Sequence, residues 1–439
     1  MAPRRDRPIP RAGSRRRRLA GVVAAMAATA IVLAGCGGGS SGSGTPDGGA
    51  TLTMWARSAI DVFSKRLVDE YNKTHKNKVK LTIIPSDSYQ QKVGAAAGSN
   101  SLPDILAADV VYAPNYVKQG LFRDITADIK KLSFYDNLAK AHIEAASRDG
   151  KMYGVPNKVD SSLFLYNKDL YKKAGLDPEQ GPKTFQDVYE HAKAIRALGA
   201  NTYGFYFPGN CSGCNAYTMF PYAVAAGHPP FADDGHKADF DNGAFGETLR
   251  LYRKMVEEKI APSGVKTDDG ANWTASFLAG KVGILPAGSF LFGDLTSKAK
   301  FDWGVAGLMA PDGSRTATFV GGDVLGITAS SKHATQAWDF VSWTLGEQAQ
   351  VELVAKYGDL PARTDLAGNP YSSKDPRVKA TVEGLANGYT PAVLPYGELI
   401  NNSNGPWLVA LREGIFGGDP AKALQQAQSQ IQSKVDASS

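Results

Sequence analysis

The sequence predicts an α/β protein folded as two lobes, and three observations carry that prediction. Strand-like and helix-like segments alternate from Thr51 onward, the pattern of an α/β body with a mainly parallel sheet. About 390 residues follow a distinct leader, more than one hydrophobic core usually supports. No stretch after the leader has the ~20 consecutive apolar residues that a bilayer span requires.

The leader comes first in the chain. Residues 1–36 hold Arg4, Arg5, Arg7, Arg11 and the run Arg15 to Arg18, then an apolar, alanine-rich stretch from Leu19 to Leu33. A positive start, a short apolar core and a small-residue cleavage site define an export signal. The arginine run also suits the twin-arginine route. The string Leu33-Ala34-Gly35-Cys36 resembles a bacterial lipobox. That likeness implies a signal peptide at 1–35, acylation of Cys36 and a mature protein anchored at the outer face of the cytoplasmic membrane. The competing reading, a transmembrane helix, is opposed by the short apolar run and the Gly/Ser-rich sequence behind it. Residues 36–50 are expected to form a flexible linker, since GGGSSGSGTPDGGA has no apolar periodicity.

The leader also accounts for the formal charge of +6. Without its eight arginines and one aspartate, 41 basic and 42 acidic residues remain from Gly37 onward. Nucleic-acid binding leaves a basic footprint on the domain itself, and none remains, so nucleic acid is not expected as a partner.

The body opens with Thr51-Leu52-Thr53-Met54-Trp55 as a strand, and Ile60–Lys73 follows with Phe63, Leu67, Val68 and Tyr71 at helical spacing. Val79–Ile84 alternates as a strand, Gln90–Ala97 is helical, and Pro103-Asp104-Ile105-Leu106 begins another strand. Asn167-Lys168-Asp169 and the residues to Gly175 read as a strand end, a short helix and a glycine stop. Further helices are predicted at Thr184–Leu198, Gly246–Glu258, Ala334–Leu345 and Pro420–Val435. Thr184 can cap the first of these, and Asp419-Pro420 opens the last.

Of the three cysteines, Cys36 belongs to the leader, which leaves Cys211-Ser212-Gly213-Cys214. Outside the cytoplasm this spacing is expected to be a small disulfide stapling a loop. Redox chemistry or half a zinc site are the alternatives, the latter lacking further ligands nearby. The six histidines show no metal-ligand spacing, and G-x-S-x-G, H-E-x-x-H and a phosphate loop with its lysine are all missing. No metal, cofactor or catalytic residue is therefore expected.

Longer strings carry a family likeness. They begin with Gly150-Lys151-Met152-Tyr153-Gly154-Val155-Pro156 and continue through residues 163–176, which run from Leu163-Phe164-Leu165-Tyr166 to Ala174-Gly175-Leu176. Pro182-Lys183-Thr184-Phe185, Phe277–Ile284, Gly321–Ile327 and Asp375-Pro376-Arg377 with Trp407 complete the order. The set resembles the family 1 extracellular solute-binding proteins, the sugar-capturing subunits of ABC importers, over nearly all of residues 50–435. The resemblance implies the two-lobed periplasmic-binding-protein fold, with strands crossing near Asn157–Ser161, Phe319–Asp323 and Leu360–Asp365. Lobe one would be residues 51–158 with 322–361, and lobe two 159–321 with 362–439. It also implies a monomer that closes on a sugar or oligosaccharide and passes it to the transmembrane subunits of an ABC permease.

A sugar presents apolar C–H faces and rings of hydroxyls, so its site needs flat aromatic rings together with carboxylates or amides. Polar groups fitted to one hydroxyl pattern penalise the wrong sugar, which leaves them unpaired. The aromatic candidates are Trp55, Tyr217, Trp273, Phe290 and Trp407. By resemblance, Trp407 and Tyr217 match sugar-stacking positions of the maltodextrin-binding members, and Phe290 stands where those members carry tryptophan. Among polar candidates, Asp160 matches an acidic ligand-binding position by the same resemblance. Asp109 ends a strand, where open α/β sheets bind ligands; Arg57 and Ser58 follow the first strand in the same way. Gly322 lets backbone approach the ligand beside Asp323, and Arg363 completes the set. At least two of Arg57, Asp109, Asp160, Asp323 and Arg363 are expected to serve only structural roles. A polyol, glycerol-phosphate or peptide ligand is the alternative, and behind it an extracytoplasmic carbohydrate-active enzyme or adhesin.

Overall fold

The computed structural model describes residues 45–438. The signal peptide at 1–35, Cys36 with its lipidation, and the linker as far as residue 44 lie outside the described residues. The rest of the expected linker, 45–50, is not loose. Asn77 is buried and its Oδ1 accepts from the Gly49 and Ala50 amides at 3.0 and 2.9 Å, while its Nδ2 donates to the Pro46 carbonyl at 2.7 Å. Asp47 in turn accepts from the Lys76 and Asn77 amides. One buried amide therefore ends the linker earlier than composition suggests.

Eight strands form the core of the main sheet: β1 Thr51–Arg57, β2 Lys78–Ile84, β3 Ile105–Asp109, β4 Val155–Asn167, β5 Tyr203–Phe205, β6 Val282–Gly288, β7 Trp303–Ala306 and β8 Thr316–Ile327. Their order is β2-β1-β3-β8-β4-β6-β5, with β7 also on β4. Among these eight strands, parallel pairing occurs only towards the ends, at β1–β2, β1–β3 and β6–β5. β3–β8, β8–β4, β4–β6 and β4–β7 are antiparallel. The expected mainly parallel sheet is thus a mixed one. The cause is β4 and β8, two strands of 13 and 12 residues that run past each other in opposite directions.

Each long strand changes partners midway. Residues 155–161 of β4 pair with β8, and 162–167 pair with β6 and β7. In β8, residues 316–319 pair with the short strands at 308–309 and 388–389, 320–325 pair with β4, and 323–327 pair with β3 on the other edge. Both exchanges fall at Asp160–Ser162 and Gly321–Asp323, at the middle of the sheet.

The main helices pack around this sheet: α1 Asp61–Thr74, α2 Ser86–Gly98, α3 Phe185–Arg196, α4 Ser212–Ala225, α5 Gly243–Glu257, α6 Ala334–Thr344, α7 Pro406–Phe416 and α8 Pro420–Ser438. α1 buries Phe63, Leu67, Val68 and Tyr71 along one face, the spacing of an amphipathic helix. Thr184 and Asp187 form a reciprocal capping box on α3, with Oγ1 and Oδ2 accepting at 3.0 and 3.1 Å. α4 has no amphipathic stripe to reveal it. It is apolar on nearly all sides, with Ala216, Met219, Phe220, Tyr222 and Ala223 buried and Pro221 inside it. A helix buried all round carries no helical period in its polarity.

The bulge between β8 and β4 sits at Gly322 and Val324, where Gly322 has φ +111°. A side chain there would strain the backbone, and its Cβ would overlap the Lys158 carbonyl oxygen. Gly→Ala changes at relaxed positions stabilise slightly, so the sign is diagnostic. Gly322→Ala should lower stability by about 1–3 kcal/mol in urea unfolding; an unchanged or raised midpoint would contradict this account.

Candidate ligand-binding site

The partner exchange of β4 and β8 gathers most of the polar candidates. Arg57 ends β1, Asp109 ends β3, and the β3–β8 register sets Asp323 directly opposite Asp109. Arg57 bridges both acids. Its Nε and Nη2 donate to the two oxygens of Asp323 at 2.8 and 2.7 Å, and Nη1 lies 3.0 Å from Asp109 Oδ2. Asp323 is 0% exposed, and a carboxylate without water stays charged only with such a partner. Burial opposes the Arg57 charge, but Asp109 and Asp323 outweigh it and raise its pKa. Burial also pushes Asp109 up to about 6, with Arg57 opposing and Asp323 reinforcing the shift.

Asp160 faces this group from β4. The Tyr217 hydroxyl on α4 donates to Asp160 Oδ1 at 2.6 Å. Burial raises the Asp160 pKa against the pull of Tyr217 and Lys158, and burial and Asp160 together raise that of Tyr217. Glycines make room for this pair. A Cβ at Gly321, opposite Asp160 in the β8–β4 register, would stand 2.7 Å from Asp160 Oδ1 and 3.0 Å from the Tyr217 ring. One at Gly288 would collide with the Tyr217 hydroxyl and lie 2.9 Å from the Phe290 ring.

Two further aromatic candidates extend the surface from Tyr217. Its ring centroid lies 6.2 Å from Phe290, and Phe290 lies 5.5 Å from Trp273. Phe319 backs Tyr217 at 5.4 Å. The Trp273 indole donates to the Pro286 carbonyl at 3.0 Å, which fixes the ring while satisfying its only donor. Phe290 is 43% exposed, a large apolar face left to solvent beside polar groups. Flat apolar rings adjoining partly buried carboxylates suit a ligand with both C–H faces and hydroxyls.

Other candidates do not join this group. Trp407, expected as a stacking platform, is 0% exposed. It lies within 5.2–5.7 Å of Phe220, Phe240 and Phe245, and its indole donates to the Ser212 carbonyl at 3.3 Å; α7 turns it into the core. Arg363 is also buried, paired with Asp365 at 2.5 Å and set over the Phe134 ring at 3.9 Å. Ser58 is exposed and its Oγ accepts from the Ser86 amide at 3.1 Å, tying down the start of α2. Trp55 is half-buried beneath the Lys92 ammonium, 5.0 Å from its ring, and makes no ring contact with Tyr217, Phe290 or Trp273. Gly322 serves the bulge.

Three residues escaped sequence reading. Tyr112 follows Asp109 and accepts from Asn401 Nδ2 at 3.0 Å. Tyr396 is buried near Asp109, and burial followed by that carboxylate raises its pKa. His142 is fully buried behind the crossing, its Nε2 donating to the Gly321 carbonyl at 3.0 Å, with burial lowering its pKa to about 4. None stands in a motif; a loop tyrosine and a helix histidine look alike in any sequence.

The cysteines are joined, Cα to Cα 5.3 Å apart, but at the first turn of α4 rather than within a loop. Among the described residues, no group of three His, Cys, Asp or Glu side chains is placed to hold a metal ion, and no helix is long and apolar enough to cross a membrane.

Two outcomes test these assignments. Trp407→Ala should cost about 3–5 kcal/mol in unfolding of the ligand-free protein, as for a core tryptophan; a stability loss under 1 kcal/mol would return Trp407 to the surface. Asp109 titrates at about 6 in the folded chain, against ~3.9 unfolded. The folded state therefore holds the extra proton between these values, and its stabilising contribution, full below about pH 4, disappears as pH rises through 6. Between pH 4 and 6.5 the wild type should lose stability relative to Asp109→Asn; parallel curves would refute it.

Comparison with known proteins gives the same architecture a lineage. The cyclic α-maltosyl-1,6-maltose binding protein of Arthrobacter globiformis superposes with a TM-score of 0.75 at 23% identity, covering 88% of this chain and 99% of that one. The likeness shows the two-lobed periplasmic-binding-protein fold. The diacetylchitobiose binding protein DasA of Streptomyces coelicolor is 24% identical over 423 residues, 93% of this chain and 97% of that protein. A galactooligosaccharide-binding protein of Bacillus subtilis is 24% identical over 424 residues, 94% and 96% respectively. The model of the bacterial extracellular solute-binding proteins matches residues 66–380, well over half of the chain. The protein belongs to the bacterial extracellular solute-binding protein family.

Proposed function

We propose that this protein is the ligand-capturing subunit of an ABC importer and takes a neutral sugar or oligosaccharide at the β4–β8 crossing. The observation that carries the reading is the Asp160–Tyr217 pair, which joins the Arg57–Asp109–Asp323 group to the Phe290–Trp273 surface. Carboxylates would accept sugar hydroxyls, and the rings would cover C–H faces. The relatives point the same way, since they are named for diacetylchitobiose, galactooligosaccharide and cyclic α-maltosyl-1,6-maltose. Charge argues against a phosphate ligand: three aspartates surround one arginine, itself already bound by two of them. A binding role accounts for this group.

In this reading residues 51–158 with 322–361 form lobe one, and 159–321 with 362–439 form lobe two. They close on the ligand by bending at β4 and β8, a hinge motion whose equilibrium the ligand shifts. Acylated Cys36 anchors the protein on the outer face of the membrane, in reach of the permease's transmembrane subunits.

Calorimetry of the chain from residue 45 onward against chito-, galacto- and malto-oligosaccharides, glycerol-phosphate and peptides tests the proposal. At least one neutral oligosaccharide should bind, unhydrolysed. Asp160→Ala should weaken that ligand about 10- to 100-fold by deleting a partly buried acceptor, while the protein stays folded. A phosphorylated or peptide ligand with no sugar bound, or sugar consumed in the cell, would overturn the reading.

A further inference from the structure

We propose that the Cys211–Cys214 disulfide is a positioning element of the ligand site, holding the Tyr217 and Trp273 rings in their mutual arrangement. The inference rests on the sugar-binding reading for its consequence, although its geometry is independent of ligand identity.

The disulfide reaches Tyr217 through α4. Cys211 is the N-cap of that helix, and its Sγ accepts the Cys214 amide at 3.2 Å. Cys214 lies one turn before Tyr217, and residues three apart share a helix face. The bond thus fixes the first turn of the helix whose next turn carries the ring bound to Asp160. The same end is held by Asn215, whose Nδ2 donates to the Pro208 and Cys211 carbonyls at 2.7 and 2.8 Å.

It reaches Trp273 through Gly270. A Cβ at Gly270 would stand 3.1 Å from Cys214 Sγ and 3.2 Å from Cys211 Sγ, so the glycine backbone rests on both sulfurs; its φ of +106° also disfavours a side chain. Asp268 shapes this turn: Oδ1 accepts from the Gly270 and Asn272 amides, both at 3.1 Å, and Oδ2 accepts from the buried Tyr206 hydroxyl at 2.7 Å. The Gly270 carbonyl then accepts the Trp273 amide at 3.3 Å. From Trp273 the ring contacts return through Phe290 to Tyr217. The disulfide closes a circuit of contacts whose opposite side is the aromatic surface. A bond spanning only two intervening residues restrains little chain entropy in the unfolded state. Its structural consequence is local, in the placement of α4 against the 268–273 turn.

The test compares oxidised protein with folded protein reduced by dithiothreitol, which cyclises to its own disulfide as the S–S bond becomes two thiols. Cys211→Ser/Cys214→Ser serves as the second form if the bond resists reduction. Using whichever oligosaccharide the wild type binds, Kd should rise about tenfold on loss of the bond and recover on reoxidation. In Trp273→Ala, already weakened, the same treatment should change Kd by less than twofold, since the two changes act through one surface. An unchanged wild-type Kd with two thiols counted would overturn the proposal, as would an equal weakening in the Trp273→Ala background. Should no oligosaccharide bind, the sugar reading alone falls. The indole emission assigned by subtracting Trp273→Phe from wild type still decides the positioning role: it should shift on reduction, and a static difference spectrum would overturn the inference.

Discussion

The arrangement at the centre of this protein depends on one buried carboxylate. Asp323 has no exposed surface, and the cost of burying an unpaired charge far exceeds what a marginally stable domain can tolerate. Arg57 answers it with two hydrogen bonds, which ties the end of β1 to the bulge of β8. The guanidinium's remaining edge then holds Asp109 at the end of β3. Three chain segments far apart in sequence converge because one charge needs a partner. The convergence falls where β8, paired with β4 on one edge, gains β3 on the other, so a requirement of stability and the place proposed for a ligand coincide.

The second half of the site obeys a constraint of space. Tyr217 reaches Asp160 only because Gly288 and Gly321 present bare backbone beneath it. Gly322 permits the bulge that directs Asp323 towards Arg57. Polar anchoring on one side and close backbone approach on the other leave a surface of carboxylate oxygens and aromatic edges, with Phe290 the ring most open to solvent. Hydroxyl-bearing ligands match that combination. The Cys211–Cys214 bond lies beneath the aromatic part, against the turn that leads to Trp273.

Legibility in the sequence followed the kind of signal each residue left. Arg57 and Asp109 could be read because strand ends are visible in polarity and ligands gather there in open α/β sheets. Asp160, Tyr217 and Phe290 drew on family likeness, and Trp273 on residue type alone. Trp407, also placed by family likeness, misled because a matching position does not state which side of its helix turns inward; Phe220, Phe240 and Phe245 took it into the core. Arg363 misled in a similar way, since its partner Asp365 sits two residues on and needs no cleft. α4 went unread because burial on nearly every side erases the helical period.

Local patterns determined the α/β class, the amphipathic helix α1, the capped start of α3 and the spacing that lets Cys211 reach Cys214. Each depends on residues within a few positions of one another, where period and capping act directly. Tertiary structure alone decided that the sheet is mixed, that Arg57 binds Asp323 across 266 residues, and which aromatics face solvent. Those outcomes come from strand register and from the demand that buried charges and hydroxyls find partners. Neither is expressed in any local stretch, because the energy that settles them arises only when distant segments leave water together.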